Sequence, residues 1–175
     1  MSTNWRISSF HGALLAAYFI PAWAMVAYKI VISPIHGLFE RPNIAVGLFI
    51  SDQLQLAAMT TVRVAWLLAL GKLTVVAFFA VFLLMIARDA IRKSGGCHEA
   101  LAIALAIGSV ISFASMIMAS HVGETQALRL HATELLMLLG SAVLLLVDGP
   151  AEPQVKASAG SDDTVFAQSE LLRTR

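Results

Sequence analysis

Charged residues are scarce in this chain of 175 residues, because Asp, Glu, Lys and Arg together make up only 13% of it. Hydrophobic residues make up 58%, and the mean hydropathy is +0.79. A soluble domain of this composition would have too little polar surface to cover its core. The formal net charge of +1 also gives no reason to expect a nucleic acid as a partner. The composition therefore favours a protein whose main surroundings are a lipid bilayer.

The chain also lacks the residue patterns of several functional classes. Its one cysteine, Cys97, excludes a disulfide within the chain. The sequence contains no phosphate-binding glycine loop, no zinc-protease helix and no nucleophile elbow. No repeat with a fixed period is present. These absences favour a protein that is not an enzyme.

Long apolar runs predict an all-α integral membrane protein built as a four-span transmembrane helix bundle over residues 1–148. The second run is the clearest, because the stretch from Val64 to Ala87 holds one charge and would rise about 36 Å as a helix, against a hydrocarbon core of about 30 Å. The remaining residues, 149–175, are rich in Ala, Ser, Asp and Pro and predict a disordered cytoplasmic tail. The spans are expected at about residues 10–32, 64–87, 100–120 and 128–147, and the first is expected to remain uncleaved.

The connection between the first two spans is long and semi-apolar. Its part from Ile44 to Met59 carries Asp52 and Gln55 near its centre, and Arg63 follows it without a turn. Polar residues at the centre argue against another span. We therefore expect either an interfacial helix that lies flat or an outward extension of the second span.

Basic residues indicate the orientation. Arg88, Arg92 and Lys93 follow the second span as a cluster, and such clusters accumulate on the cytoplasmic side. With this cluster inside, the cytoplasmic segments hold seven Lys or Arg residues and the opposite side holds four. The sequence thus predicts a multi-pass protein of a bacterial-type inner membrane with both termini in the cytoplasm.

The third span carries a small residue at every fourth position. Such a stripe forms a groove where another helix backbone can approach closely. The partner helix is expected within the same bundle, with self-association or other membrane subunits as alternatives. The stripe consists of Ala100, Ala104, Gly108 and Ser112.

The pattern His-x-x-Glu occurs twice near the predicted external side. At this spacing the two side chains share a helix face, and imidazole with carboxylate is a reasonable ligand set for a transition metal. A shared site for a metal or for haem would require the chain around Gly123 to fold back. The alternative is that these are ordinary interfacial and capping residues. The candidate ligands are His121 with Glu124, His131 with Glu134, and His36.

Lys72 is the other candidate, because it lies about 13 Å inside the second span, too deep to reach the headgroups easily. A charge at that depth usually faces the bundle interior with a partner. The nearest acid is Glu134, which is expected to lie shallower if its span starts near residue 128. Lys72 can therefore be structural, or it can be functional through an anionic ligand.

Three hypotheses for the function follow. The first is a non-enzymatic multi-pass protein that serves as a subunit or accessory factor of a membrane assembly. The second is a metal- or haem-binding redox protein that uses the external His and Glu pairs. The third is a small transporter with Lys72 in its path.

Overall fold

The computed structural model describes residues 7–88 and 97–147, and every element within those ranges is helical. The predicted tail at 149–175 lies outside the described residues, as do Arg92 and Lys93. The elements are α1 (Ile7–Ile32), α2 (Pro34–Leu38), α3 (Ile44–Leu48), a π-helical turn (Phe49–Gln53), α4 (Ala58–Ala87), α5 (Cys97–Val122) and α6 (Thr125–Val147).

Four of these helices, α1, α4, α5 and α6, are long and apolar enough to cross a membrane, so the prediction of four such helices is confirmed. Each begins before its predicted first residue, by six residues in α4 and by three in α1, α5 and α6, and α5 also ends two residues later than predicted. Helix α4 begins at Ala58, because the carbonyl of Ala57 already accepts the backbone N–H groups of Thr60 and Thr61 at 2.8 and 3.0 Å. The second span predicted at 64–87 is therefore longer towards its N-terminus.

Helix α6 begins at Thr125 rather than near residue 128, because a tight turn separates it from α5. Gly123 ends α5 with φ of +77°, a left-handed conformation that glycine adopts without strain. The N–H of Glu124 then reaches back to the carbonyl of Ala119 at 3.1 Å. The carbonyl of Glu124 in turn accepts the N–H of Leu128 at 3.0 Å, so the new helix starts at once.

The four long helices bury one stripe each and expose apolar side chains on their other faces. In α4 the buried positions recur every three or four residues, as expected for a helix with one face in the core. Aromatic rings fill the space between α1 and α4: Phe19 packs edge-on against Trp23 at 5.2 Å and stacks on Phe79 at 5.8 Å between ring centroids. The buried residues of α4 are Ala65, Ala69, Lys72, Val75, Phe79, Phe82 and Ile86.

The connection between α1 and α4 folds into the bundle instead of lying flat at its end. Leu38, Asn43 and Ile50 are buried, and the residues from Ser51 to Gln55 are exposed. Helix α3 packs against α5, while α2 packs against α1 and α4. Of the stretch Ile44–Met59, predicted to lie flat or to extend the second span, the first part packs on α5 as α3, and only Ala58 and Met59 extend the second span as the start of α4.

The small-residue stripe of α5 lies against other helices of the same chain. Gly108 is buried, and a Cβ atom there would lie 3.3 Å from Leu138 Cδ1 and 3.7 Å from Val75 Cγ1. Ala104 and Ser112 have no exposed surface, and Ala100 is also buried. The stripe thus packs inside the bundle, and self-association stays a prediction.

This packing predicts that Gly108→Leu destabilises the protein, because the longer side chain must displace Leu138 and Val75. The matched control is Gly140→Leu, since a side chain at exposed Gly140 meets nothing within 4 Å. We expect Gly108→Leu to lower the free energy of unfolding in detergent by about 1–3 kcal/mol and the control to change it little. Equal stability of the two variants would contradict the inward orientation of the stripe.

Candidate functional site

The side chain of Lys72 is fully inside the bundle, where its ammonium group donates a hydrogen bond of 2.7 Å to Asn43 Oδ1. The Asn43 side chain is itself held in place, because its Nδ2 donates to the carbonyl of Gly37 at 3.1 Å. Lys72 Nζ also lies 5.5 Å from the centroid of the Trp23 ring, within the range of a cation–π interaction. A loop amide and an aromatic face thus take up part of the lysine charge.

Trp23 connects this lysine to an acid on α6. Its Nε1–H donates to Glu134 Oε1 at 3.1 Å, while its ring faces Lys72. The indole therefore touches the cation with its π face and the carboxylate with its N–H. Glu134 and Lys72 also attract each other electrostatically. Glu134 is the acid that the sequence placed shallower than Lys72, and the earlier start of α6 brings it into range.

The second oxygen of Glu134 has two further neighbours. His131 Nδ1 lies 3.0 Å from Oε2, and Ser112 on α5 donates to the same oxygen over a longer distance of 3.4 Å. Because an ionised carboxylate only accepts hydrogen bonds, the form of His131 that bonds to ionised Glu134 is the one protonated at Nδ1. His131 Nε2 is buried and has no hydrogen-bond partner among the described residues. The imidazole therefore offers one nitrogen that the protein has not engaged.

These six side chains form what we call the polar layer: Trp23, Asn43, Lys72, Ser112, His131 and Glu134. They come from α1, the segment before α3, α4, α5 and α6, so every long helix contributes to it. Each one lies on the inward stripe of its element, and all six are buried. On α6 the inward stripe consists of Ala127, His131, Glu134, Leu138 and Ser141.

The chemistry of the polar layer is that of a compensated buried charge pair. An unpaired carboxylate or ammonium is costly in an apolar interior, and hydrogen bonds to the charged form reduce that cost. Glu134 receives donors from three residues, and Lys72 has an oxygen acceptor and an aromatic face. Both charged side chains contact Trp23, Lys72 at the ring face and Glu134 at the indole N–H.

The predicted ligand set is only partly brought together. His131 and Glu134 meet in the polar layer, whereas His36 and His121 are exposed. The His121 ring packs against Phe49 with 6.0 Å between centroids, and Glu124 lies in the turn before α6. Within residues 7–88 and 97–147, no group of three or more His, Cys, Asp or Glu side chains is placed to hold a metal ion. The metal or haem site stays a prediction without a converging ligand set in this part of the chain.

Sequence reasoning missed Trp23, Asn43 and Ser112 as members of the site. Trp23 gave a usable signal, because a tryptophan deep in an apolar span needs a buried acceptor for its N–H. Ser112 was assigned only to the small-residue stripe. For Asn43 there was no local signal, since its partner Lys72 is brought near it only by the folding of the connection.

Comparisons with known proteins identify no relative. No family model matches the chain, and no curated protein and no solved structure is significantly similar to it. The contacts of the described residues are therefore the basis for any functional assignment.

The polar layer predicts strong coupling between Lys72 and Glu134. Lys72→Met and Glu134→Gln each leave the opposite charge uncompensated in the core, so each should lower the free energy of unfolding by about 3–5 kcal/mol. In a double-mutant cycle measured in detergent, the double variant should lose about 1–3 kcal/mol less free energy of unfolding than the two single variants lose together.

The matched control for this cycle is Lys29→Met. Lys29 forms a 2.8 Å ion pair with Glu40 at the surface, where its side chain is 48% exposed. An exposed pair of this kind contributes about 0–1 kcal/mol. Strictly additive effects of the two buried substitutions, or a Lys72→Met variant as stable as Lys29→Met, would contradict the coupling.

Proposed function

We propose that the chain is a multi-pass protein of a bacterial-type inner membrane, with both termini in the cytoplasm. In this proposal it acts without catalysis, as a subunit or accessory factor of a membrane assembly. The polar layer then serves to hold the four spans in one arrangement. The single observation that carries the proposal is that the two buried charges, Lys72 and Glu134, are engaged by side chains of the chain itself.

The outward faces of the long helices support the membrane placement. Large apolar side chains point away from the bundle, and Leu136 and Leu146 are 73% and 79% exposed. Exposing such an apolar surface to water is energetically unfavourable, whereas contact with lipid tails is not. The share of each span that is buried within the bundle is no more than 33%. The remaining apolar surface is available to lipid and to other membrane subunits.

The position of the polar layer along the helices is also consistent with a membrane interior. From Thr125 to Glu134 the helix rises about 13.5 Å, close to half of a hydrocarbon core of about 30 Å. Charged residues at that depth pair with one another or with backbone groups inside the bundle. The polar layer meets this requirement through Asn43, Trp23 and His131.

The proposed orientation can be tested with single cysteines, because Cys97 is the only native one. We expect a membrane-impermeant maleimide to label Ser51→Cys and Thr125→Cys, each in a Cys97→Ser background, in cells whose outer membrane alone is permeable. Native Cys97 should be labelled only after the inner membrane is opened. Both introduced cysteines replace exposed residues. Labelling of Cys97 while the inner membrane is still closed would show the opposite orientation.

The proposed role in an assembly predicts contacts with other chains at an outward face. A photo-crosslinking phenylalanine analogue can replace one exposed residue on each long helix: Met25, Leu84, Val110 or Leu139. After irradiation of native membranes, at least one position should form a specific adduct with another membrane polypeptide. Positions that face lipid should form none. Irradiation after solubilisation in a denaturing detergent is the control. Only the 18.7 kDa monomer at all four positions would contradict the proposal.

A small transporter is the second candidate, and one observation favours it. Lys72 is a buried charge inside the bundle, and His131 Nε2 is buried beside Glu134 without a hydrogen-bond partner among the described residues, so polar groups line a part of the interior where a transport path could run. Proton uptake by proteoliposomes that is lost in His131→Gln would favour this candidate. Equal uptake by the unchanged protein and by protein-free liposomes, or equal uptake by the unchanged protein and by His131→Gln, would exclude it.

A further inference from the structure

An apolar groove of about 600 Å³ lies on the outer surface where the end of α1 meets α4. It begins at Arg63 and Val31 and ends at Leu73, with Trp66 and Leu70 along it. Trp66 and Leu70 are 58% and 61% exposed, so the groove opens to the surroundings of the bundle rather than to its core. It is separate from the polar layer, although Leu73 follows Lys72 directly in the sequence.

The groove has the dimensions of a single lipid tail. From Arg63 to Leu73 the helix rises about 15 Å, which is half of a hydrocarbon core of about 30 Å and thus the reach of one acyl chain. Its lining between these two residues is apolar, and Trp66 lies one turn from Arg63, at the level where tryptophan is favoured next to headgroups.

A positive charge stands at the outer end of this groove. Arg63 is exposed, and among the described residues no carboxylate lies within the 4.0 Å of an ion pair with it, whereas Lys29 on the neighbouring helix is paired with Glu40. A guanidinium group binds phosphate oxygens with two parallel hydrogen bonds. The end of the groove therefore fits an anionic headgroup, and its length fits the attached tail.

We propose that this groove binds an anionic glycerophospholipid, with its phosphate at Arg63 and one acyl chain along Trp66, Leu70 and Leu73. The inference rests on the proposed membrane placement but not on any role in an assembly. In the proposed orientation the bound lipid belongs to the outer leaflet of the inner membrane. The site requires both parts, since the charge selects the headgroup and the groove orders the tail.

The test is native mass spectrometry of the full chain in detergent, titrated with phosphatidylglycerol and, separately, with phosphatidylcholine. Arg63→Gln removes the charge, and we expect phosphatidylglycerol to bind about tenfold more weakly, the loss of one charge-assisted contact. Arg129→Gln is the control, because Arg129 is exposed on α6 and lies outside the groove. The control should bind as the unchanged protein does.

A second pair of variants tests the tail. Leu70→Trp fills the groove and should weaken phosphatidylglycerol binding although Arg63 is present, while Leu84→Trp, on the same helix and 67% exposed, should not. Equal binding of the two lipids by the unchanged protein, or equal losses in Arg63→Gln and Arg129→Gln, would overturn the site. If cysteine labelling follows the proposed orientation while these lipid differences are absent, only the lipid site fails. If the lipid differences are present while labelling is reversed, the proposed orientation fails and the lipid site stands.

Discussion

The burial of the Lys72 ammonium group is the constraint on which the rest of the structure depends. A charge inside an apolar bundle needs an opposite charge, a hydrogen-bond acceptor or an aromatic face close by. Lys72 has all three, because Asn43 accepts from it, Trp23 faces it, and Glu134, which accepts from the indole N–H of Trp23, attracts it. Asn43 can reach it only if the connection between α1 and α4 folds inward. The lysine thus holds the connection in place together with the apolar cluster that Leu38, Val46 and Ile50 form against α1 and α4.

The same constraint gives the bundle a defined register. Apolar helices in contact can slide past one another at little cost, since one leucine replaces another, whereas a hydrogen bond is satisfied only over a narrow range of distances. Glu134 binds Trp23 on α1 and Ser112 on α5, so α6 is positioned against two helices at once. Polar groups retained for such specificity are known from other bundles, where they determine register. We infer the same purpose for the polar layer.

The sequence predicted the helices well and the site only in part, for reasons that individual residues show. Hydropathy and length depend on local composition, so four long apolar helices could be predicted from them. The spacing of three residues correctly predicted that His131 lies beside Glu134 on one face of α6. Whether that face turns inward depends on how α6 leaves the turn at Gly123. The Lys72–Asn43 contact joins residues far apart in the chain, and no local pattern encodes it. His121, in contrast, packs on Phe49, away from the polar layer.

Hydrogen exchange of the connection tests most directly whether Lys72 holds it inside the bundle. Backbone amides from Gly37 to Ile50 should exchange at least about tenfold faster in Lys72→Met than in the unchanged protein, a loss of about 1.4 kcal/mol in local stability. Amides in the N-terminal half of α5 should be nearly unaffected, and Lys29→Met should leave the connection as protected as before. Unchanged protection between Gly37 and Ile50 in Lys72→Met would contradict the account.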